Sequence, residues 1–287
     1  MSFVVFADGT ANLPQEWLDG IRLIPMEYSV DGVSRTYSGD VDHFDAHAYY
    51  EGLKRGRRVQ TSLLNVDAFL TAFAPVLEEG RDVIYVSMSS SISGTCHAAR
   101  TAARELMERY PGRLVHVVDS MGCGFGGGML AIRAAELCRA GEETARAAAF
   151  LDGEAPHMCQ YFTVDDLNHL KRTGRVSGAT ARIATVLGIK PILYGDAEGR
   201  ITACAKVRGR GRSIRAIAEK FREKRDGGEE PLVFISHGDC PEDAGTLAGL
   251  VREICPGSRV TICQHEPVSG AHVGPGMLAL FFRGRER

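Results

Sequence analysis

The sequence predicts an α/β protein with two parts: a parallel-sheet, three-layer α/β domain followed by a smaller α+β domain. Three observations carry that prediction. Short apolar runs alternate with helical stretches through the first half of the chain. The clearest of these runs, Val83 to Val86, is β-branched and aromatic without interruption, as a strand buried on both faces requires. After about residue 155 the alternation gives way to hairpin-like pairs of strands mixed with helices.

Taken in order, Phe3 to Ala7 is a short apolar strand ending in Asp8, Gly9 and Thr10. Ile21 to Tyr37 alternates around Asp31-Gly32 and predicts a small peripheral hairpin. Val41 to Lys54 and Asn65 to Glu79 read as helices, with Thr61-Ser62 between them. Val83 to Val86 leads through Ser89 to Gly94 into a helix of small residues, Ala98, Ala99, Ala102 and Ala103. Leu114 to Val118 ends in Asp119-Ser120 before a glycine-rich turn and the helix Gly128 to Arg139; Glu142 to Gly153 is a further helix. In open α/β sheets ligands bind beyond the carboxyl ends of the strands, so the polar clusters at Asp8, Ser89 to Ser93 and Asp119 are expected to face one crevice.

In the second half, Met158 to Val164 is a strand, Asp165 to Lys171 a short helix and Ala179 to Leu187 a small-residue helix. Ile189 to Tyr194 and Arg200 to Val207 form an antiparallel hairpin, and Ser213 to Lys224 a helix. Strand Leu232 to Ser236, helix Glu242 to Ile254, strand Arg259 to His265, a loop from Glu266 to Pro275 and strand Met277 to Phe282 complete the chain. The expected boundary lies between residues 155 and 165, giving domains of 1–160 and 161–287.

Composition narrows the function. The 287 residues carry 34 Lys and Arg against 36 Asp and Glu, so no global field recruits nucleic acid or an anionic membrane. Eight cysteines contain no C-x-x-C pair, and no secretory leader is recognisable, so reduced thiols and a cytoplasmic location are expected. No apolar run approaches the roughly 20 residues that span a bilayer.

Ser93, Gly94 and Thr95 stand at the start of a helix, where unpaired N–H groups, the positive end of the dipole and two hydroxyls suit a carboxylate or a phosphate. The other motifs are weaker. Gly122 to Gly127 spells G-x-G-x-x-G between a strand and a helix, but it follows the wrong strand and lacks the acidic residue a dinucleotide site needs. Close helix packing is the better account. His43 and His47 lack a third metal ligand. Ser93 with His272 is half of a hydrolytic triad, without the G-x-S-x-G elbow. Lys206, Arg208, Arg210, Arg212 and Arg215 form a basic run that is either a solvated face or a phosphate or acidic-partner patch. His272 sits in a glycine-flanked loop that can aim its imidazole at a ligand.

Asp8, Thr61-Ser62, S-I-S-G-T at 91–95, Asp119-Ser120, F-T-V-D-D-L-N-H-L at 162–170, G-R-V-S at 174–177, G-I-K-P-I-L at 188–193, K-V-R-G at 206–209 and A-H-V-G-P-G at 271–276 together resemble the DegV family of bacterial fatty acid-binding proteins. The resemblance spans nearly the whole chain. It implies the two-part fold above and a single long-chain fatty acid held between the parts, its carboxylate at the mouth and its acyl chain buried.

It further implies a non-enzymatic carrier, without metal or cofactor, that hands the bound acid to a separate kinase subunit for conversion to an acyl phosphate. Carried over by motif, the carboxylate is held by Thr61, Ser62, Ser93, Gly94 and Thr95, with His272 approaching as an imidazolium. Phe162, Ile183, Leu187 and Ile192 are candidates for the acyl pocket, and Arg175 and Arg208 for contact with the kinase or the transferred phosphoryl group. No nucleic acid and no stable membrane insertion is expected, only transient membrane contact. Gly9, Leu63-Leu64 and Cys96 depart from the family's usual Ser, Gln-Pro and aromatic. The competing expectations are a serine esterase or acyl transferase using Ser93 and His272, and an anion sensor with no kinase partner.

Overall fold

The computed structural model describes residues 2–176, 180 and 188–287. Strands β1 (Phe3–Asp8), β2 (Ile21–Ile24), β6 (Asp82–Ser87) and β7 (Val115–Asp119) form a parallel sheet in the order β2-β1-β6-β7. Both faces are covered, which is why these strands read as unbroken apolar runs. On one face Val4, Phe6, Val83 and Tyr85 pack under helices Val66–Glu78 and Thr95–Arg109. On the other, Phe3, Val5, Ile84 and Val86 meet helices Phe125–Arg139 and Thr144–Glu154.

The second half builds a mixed six-stranded sheet, in the order β10-β9-β8-β13-β11-β12. Its strands are β8 (Met158–Thr163), β9 (Ile189–Gly195), β10 (Ile201–Arg208), β11 (Leu232–His237), β12 (Arg259–Gln264) and β13 (Leu278–Arg283). Among the described strands of this sheet, β11 and β12 are the pair that runs parallel and the other pairings are antiparallel. One face carries helices Arg210–Lys224 and Pro241–Ile254 over Tyr161, Ile192 and Phe282. The other turns Phe162, Phe234 and Phe281 toward helix Phe125–Arg139, where the Phe125 ring stacks on Phe234 with centroids 4.3 Å apart. That helix is shared between the two sheets, and its glycines make the approach possible. A Cβ on Gly128 would lie 2.6 Å from the carbonyl oxygen of Ala11, and Gly124 takes a φ of +60° that favours glycine. Close packing therefore accounts for the glycine-rich turn.

Two expectations need correction. The stretch 21–37 divides, because β2 joins the parallel sheet while β3 (Met26–Val30) and β4 (Val33–Tyr37) form the hairpin. The hairpin is not peripheral: β5 (Val59–Thr61) pairs with β3 and sets Thr61 opposite Tyr28. The predicted loop 266–275 contains a helix, Pro267–Val273, started by a Glu266 side chain that accepts from the N–H groups of Val268 and Ser269. The helix expected at 179–187 lies outside the described residues apart from Thr180.

Candidate ligand-binding site

A cavity of about 220 Å³ opens between the parallel sheet's loops, the β3-β5 sheet and the inner face of the six-stranded sheet. Its walls are mostly apolar, with Met88, Ile92, Phe162, Leu170, Met277 and Phe281 among them. Hydroxyls gather at one part of the wall: Thr61 and Ser62 from β5 and its exit, and Ser93 beside Gly94. His272 and Arg175 complete that part.

Each polar side chain is placed by local structure. Ser93 ends the turn after β6, where its Oγ accepts from the Thr95 N–H at 3.3 Å and lies 3.0 Å from Thr95 Oγ1. The first bond of the following helix runs from the Ala98 N–H to the Gly94 carbonyl at 3.0 Å, so the N–H groups of Cys96 and His97 precede any intrahelical acceptor. Gly94, at this positive end of the helix dipole, lies on the cavity wall beside Ser93. Thr95 itself is fully buried in the first turn and is not on the cavity wall.

On the β5 side of this wall, Thr61 Oγ1 lies 3.0 Å from His272 Nε2. Burial and the nearby Arg175 guanidinium push the His272 pKa down to about 4. The ring is therefore neutral at physiological pH, not the expected imidazolium. Its Nδ1 is buried with no partner among the described residues. An orphaned acceptor is commoner in protein interiors than an orphaned N–H, which favours the tautomer protonated at Nε2. That proton then bonds Thr61 Oγ1, and the threonine hydroxyl is left to donate into the cavity. Arg175 anchors itself to the Thr173 carbonyl.

Several predicted residues lie elsewhere. Ile192 is fully buried on the opposite face of the six-stranded sheet, whereas its neighbour Leu193 faces the core beneath the cavity. Phe162 lines the cavity; Ile183 and Leu187 lie outside the described residues. Arg208 is exposed near the end of β10 and does not line the cavity. Leu63, 52% exposed, stands at the wall, while Cys96 is buried in the core beneath its helix. A Cβ on Gly9 would come 3.1 Å from the Tyr37 ring.

The polar clusters at the ends of β1 and β7 do not share the crevice, contrary to the expectation. Asp8 accepts from the Thr10 N–H at 2.9 Å, from the Thr10 hydroxyl and from Tyr85 at 2.7 Å, all of them buried. Asp119 accepts from the N–H groups of Ser90 and Met121. Both carboxylates are engaged by neighbouring backbone and side-chain donors from their own and the adjacent strand-end segments.

The chemistry expected of a hydrolase is not assembled. His272 bonds Thr61 rather than Ser93, and no carboxylate among the described residues orients the imidazole. His43 and His47 pair separately with Asp40 and Asp239, and no group of metal-ligating residues is found among the described residues. In the basic run, Arg210 is tied to Asp243 at 2.8 Å. No described helix is long and apolar enough to cross a membrane.

Sequence reasoning missed the rest of the wall. Cys123, Gln160, His265 and Ser269 also face the cavity. His265 and Ser269 belong to the unforeseen helix start, and nothing in their spacing marks them.

The family model for the DegV family of uncharacterised proteins matches residues 2–285. The chain belongs to the DegV family. A DegV domain-containing protein of Clostridium perfringens is 33% identical over 283 residues, covering 98% of this chain and 97% of that one. A counterpart from Streptococcus pyogenes is 32% identical over 291 residues, covering 99% of each. Among solved structures, a fatty acid-binding DegV family protein from Thermus thermophilus superposes with a TM-score of 0.87 at 26% identity, over 99% of this chain and 100% of that one. DegV from Bacillus subtilis, described as a fatty acid-binding protein, gives 0.83 at 26% identity over 99% and 100%. The α/β architecture with its parallel sheet is thus the DegV fold.

Proposed function

We propose that this DegV protein binds one long-chain fatty acid, with its carboxylate on Thr61, Ser62, Ser93 and Gly94 and its acyl chain in the apolar cavity. The observation that carries this reading is the pairing of a mostly apolar cavity with hydroxyls on its wall, those of Thr61 and Ser62 from β5 and its exit and that of Ser93 before a 15-residue helix. Burial of the chain supplies most of the affinity, at about 0.8 kcal/mol per methylene. Charge-assisted hydrogen bonds fix the orientation, with Thr61 aligned by a neutral His272. The fatty acid-binding relatives support the ligand class.

The finer reading is a carrier rather than an enzyme, located in the cytoplasm, in which residues 1–160 supply the carboxylate site and residues 161–287 enclose the chain. It presents the carboxylate to a partner kinase, with Arg175 beside the site and Arg208 on the outer surface offsetting phosphoryl charge. Fluorescence competition with oleate tests the core of the proposal. Ser93→Ala is expected to weaken binding roughly tenfold without abolishing it, since the chain contacts remain. An unchanged affinity would move the carboxylate away from Ser93.

A further inference from the structure

From the cavity wall at His265 and Ser269 a chain of side chains that the proposed carboxylate site does not use runs back into the core. Ser236 Oγ is 3.0 Å from His265 Nδ1, His265 Nε2 is 2.7 Å from Ser269 Oγ, and the Ser269 hydroxyl reaches the Glu266 carboxylate. Glu266 is wholly buried and caps the helix that carries His272, accepting from the N–H groups of Val268 at 2.5 Å and Ser269 at 2.8 Å. No lysine or arginine among the described residues pairs with it. A buried carboxylate without a cation is costly, and an anionic ligand in the adjoining cavity raises that cost.

We propose that this Ser236–His265–Ser269–Glu266 chain is a proton-binding site coupled to ligand binding: entry of the carboxylate ligand is accompanied by uptake of a proton from solvent at Glu266. The inference rests on the fatty acid reading above. Its warrant is that every link of the chain is kept in both protonation states. With Glu266 ionised, Ser236 O–H donates to Nδ1, Nε2–H to Ser269, and Ser269 O–H to the carboxylate. With Glu266 protonated, its O–H donates to Ser269, Ser269 O–H to Nε2, and Nδ1–H to Ser236. One proton is added, the imidazole switches tautomer, and each link persists with its direction reversed, at the cost of the acceptor of the Ser236 O–H.

The surroundings leave Glu266 as the group that responds near neutrality. Burial, with Asp8 adding a smaller effect, raises its pKa to about 7. The groups around it are otherwise Tyr28 from β3, Tyr37 from β4, Tyr49 and Tyr50 from helix Ala46–Lys54, and Cys123 before helix Phe125–Arg139. All are held neutral by upward shifts, and Asn12 accepts the Glu266 N–H. Burial lowers His265 to about 3, with His237 contributing, and His272 to about 4, so neither ring protonates above pH 6. Glu266 and His272 are six positions apart, roughly 9 Å along the helix axis at 1.5 Å per residue. Two anions roughly 10 Å apart at an effective dielectric of about 20 shift a proton equilibrium about tenfold.

Isothermal titration calorimetry with oleate at pH 7.5, in phosphate and in Tris, reads the exchanged protons directly. The wild type is expected to take up about half a proton, and to bind about fivefold more weakly at pH 8.5 than at 6.5. Glu266→Gln is expected to bind with the uptake and the pH dependence both removed. Wild-type binding with no uptake, or equal uptake by the variant, overturns the proposal. Absence of binding by the wild type instead overturns the fatty acid reading. Should Glu266→Gln fail to fold, the Glu266 side-chain carboxyl followed by carbon NMR in free and loaded wild type decides the matter. The expected result is a pKa that rises on loading, and an unchanged one refutes the coupling.

Discussion

The loops after β1 and after β6 begin alike, an apolar parallel strand running into hydroxyl and glycine residues, yet they end in opposite states. After β1, Asp8 draws in Thr10 and Tyr85 and closes on itself. After β6, Ser93 and Thr95 share a hydrogen bond that leaves one hydroxyl proton and two helix N–H groups to spare. Donors at the end of a strand form a binding site only when the loop contains no carboxylate of its own to satisfy them. Asp8 supplies that internal anion and shuts its loop; the Ser93 loop waits for an external one.

The comparison can be broken most severely at the open loop. The double variant Thr61→Val/Ser93→Ala is expected to lower oleate affinity about 100-fold, and to lower the thermal midpoint modestly because the His272 Nε2–H loses its acceptor, measured by competition binding and calorimetry. Tyr85→Phe should lower stability alone. Loss of the hydroxyl leaves a buried Asp8 oxygen short of a donor, costing about 1–3 kcal/mol in urea unfolding with no change in affinity.

The imidazole at the open loop gives a pH test. The folded-state pKa of His272 is depressed to about 4, below its unfolded value near 6.5, so the unfolded chain binds the extra proton first. Stability is therefore expected to fall as pH drops from about 6.5 toward 4. His272→Gln should flatten part of that slope, with His265 maintaining the remainder. The smallest effect belongs to Gly94→Ala. Its added Cβ would meet only the flexible Leu63 side chain at 3.1 Å, and its φ of −72° is ordinary, so affinity should change by less than about threefold.

Much of this was legible from the residues. The strand-helix alternation revealed the parallel sheet because double-sided burial writes itself as unbroken apolar runs, and Ser93 was visible as the hydroxyl before a helix of small residues. Thr61 was visible only through the family resemblance, since β5 is three residues long and owes its place to pairing with β3. The helix Pro267–Val273 was hidden by its own composition. Proline at its start and glycines within and after it read as loop, yet proline suits a first turn and Gly274 ends the helix at a φ of +76°. With that helix unseen, Glu266 and Ser269 carried no signal, and the His272 charge could not be judged without knowing its burial. The opposite-face placement of Ile192 follows from strand alternation, once the register with β10 fixes which face is inward.

Native mass spectrometry of the gently purified protein, followed by organic extraction and identification of what is released, tests the central claim most directly. The account predicts an added mass corresponding to one fatty acid per chain, lost on delipidation, regained with oleate and regained far less by Thr61→Val/Ser93→Ala. Protein that carries no lipid and takes up neither oleate nor palmitate would contradict it.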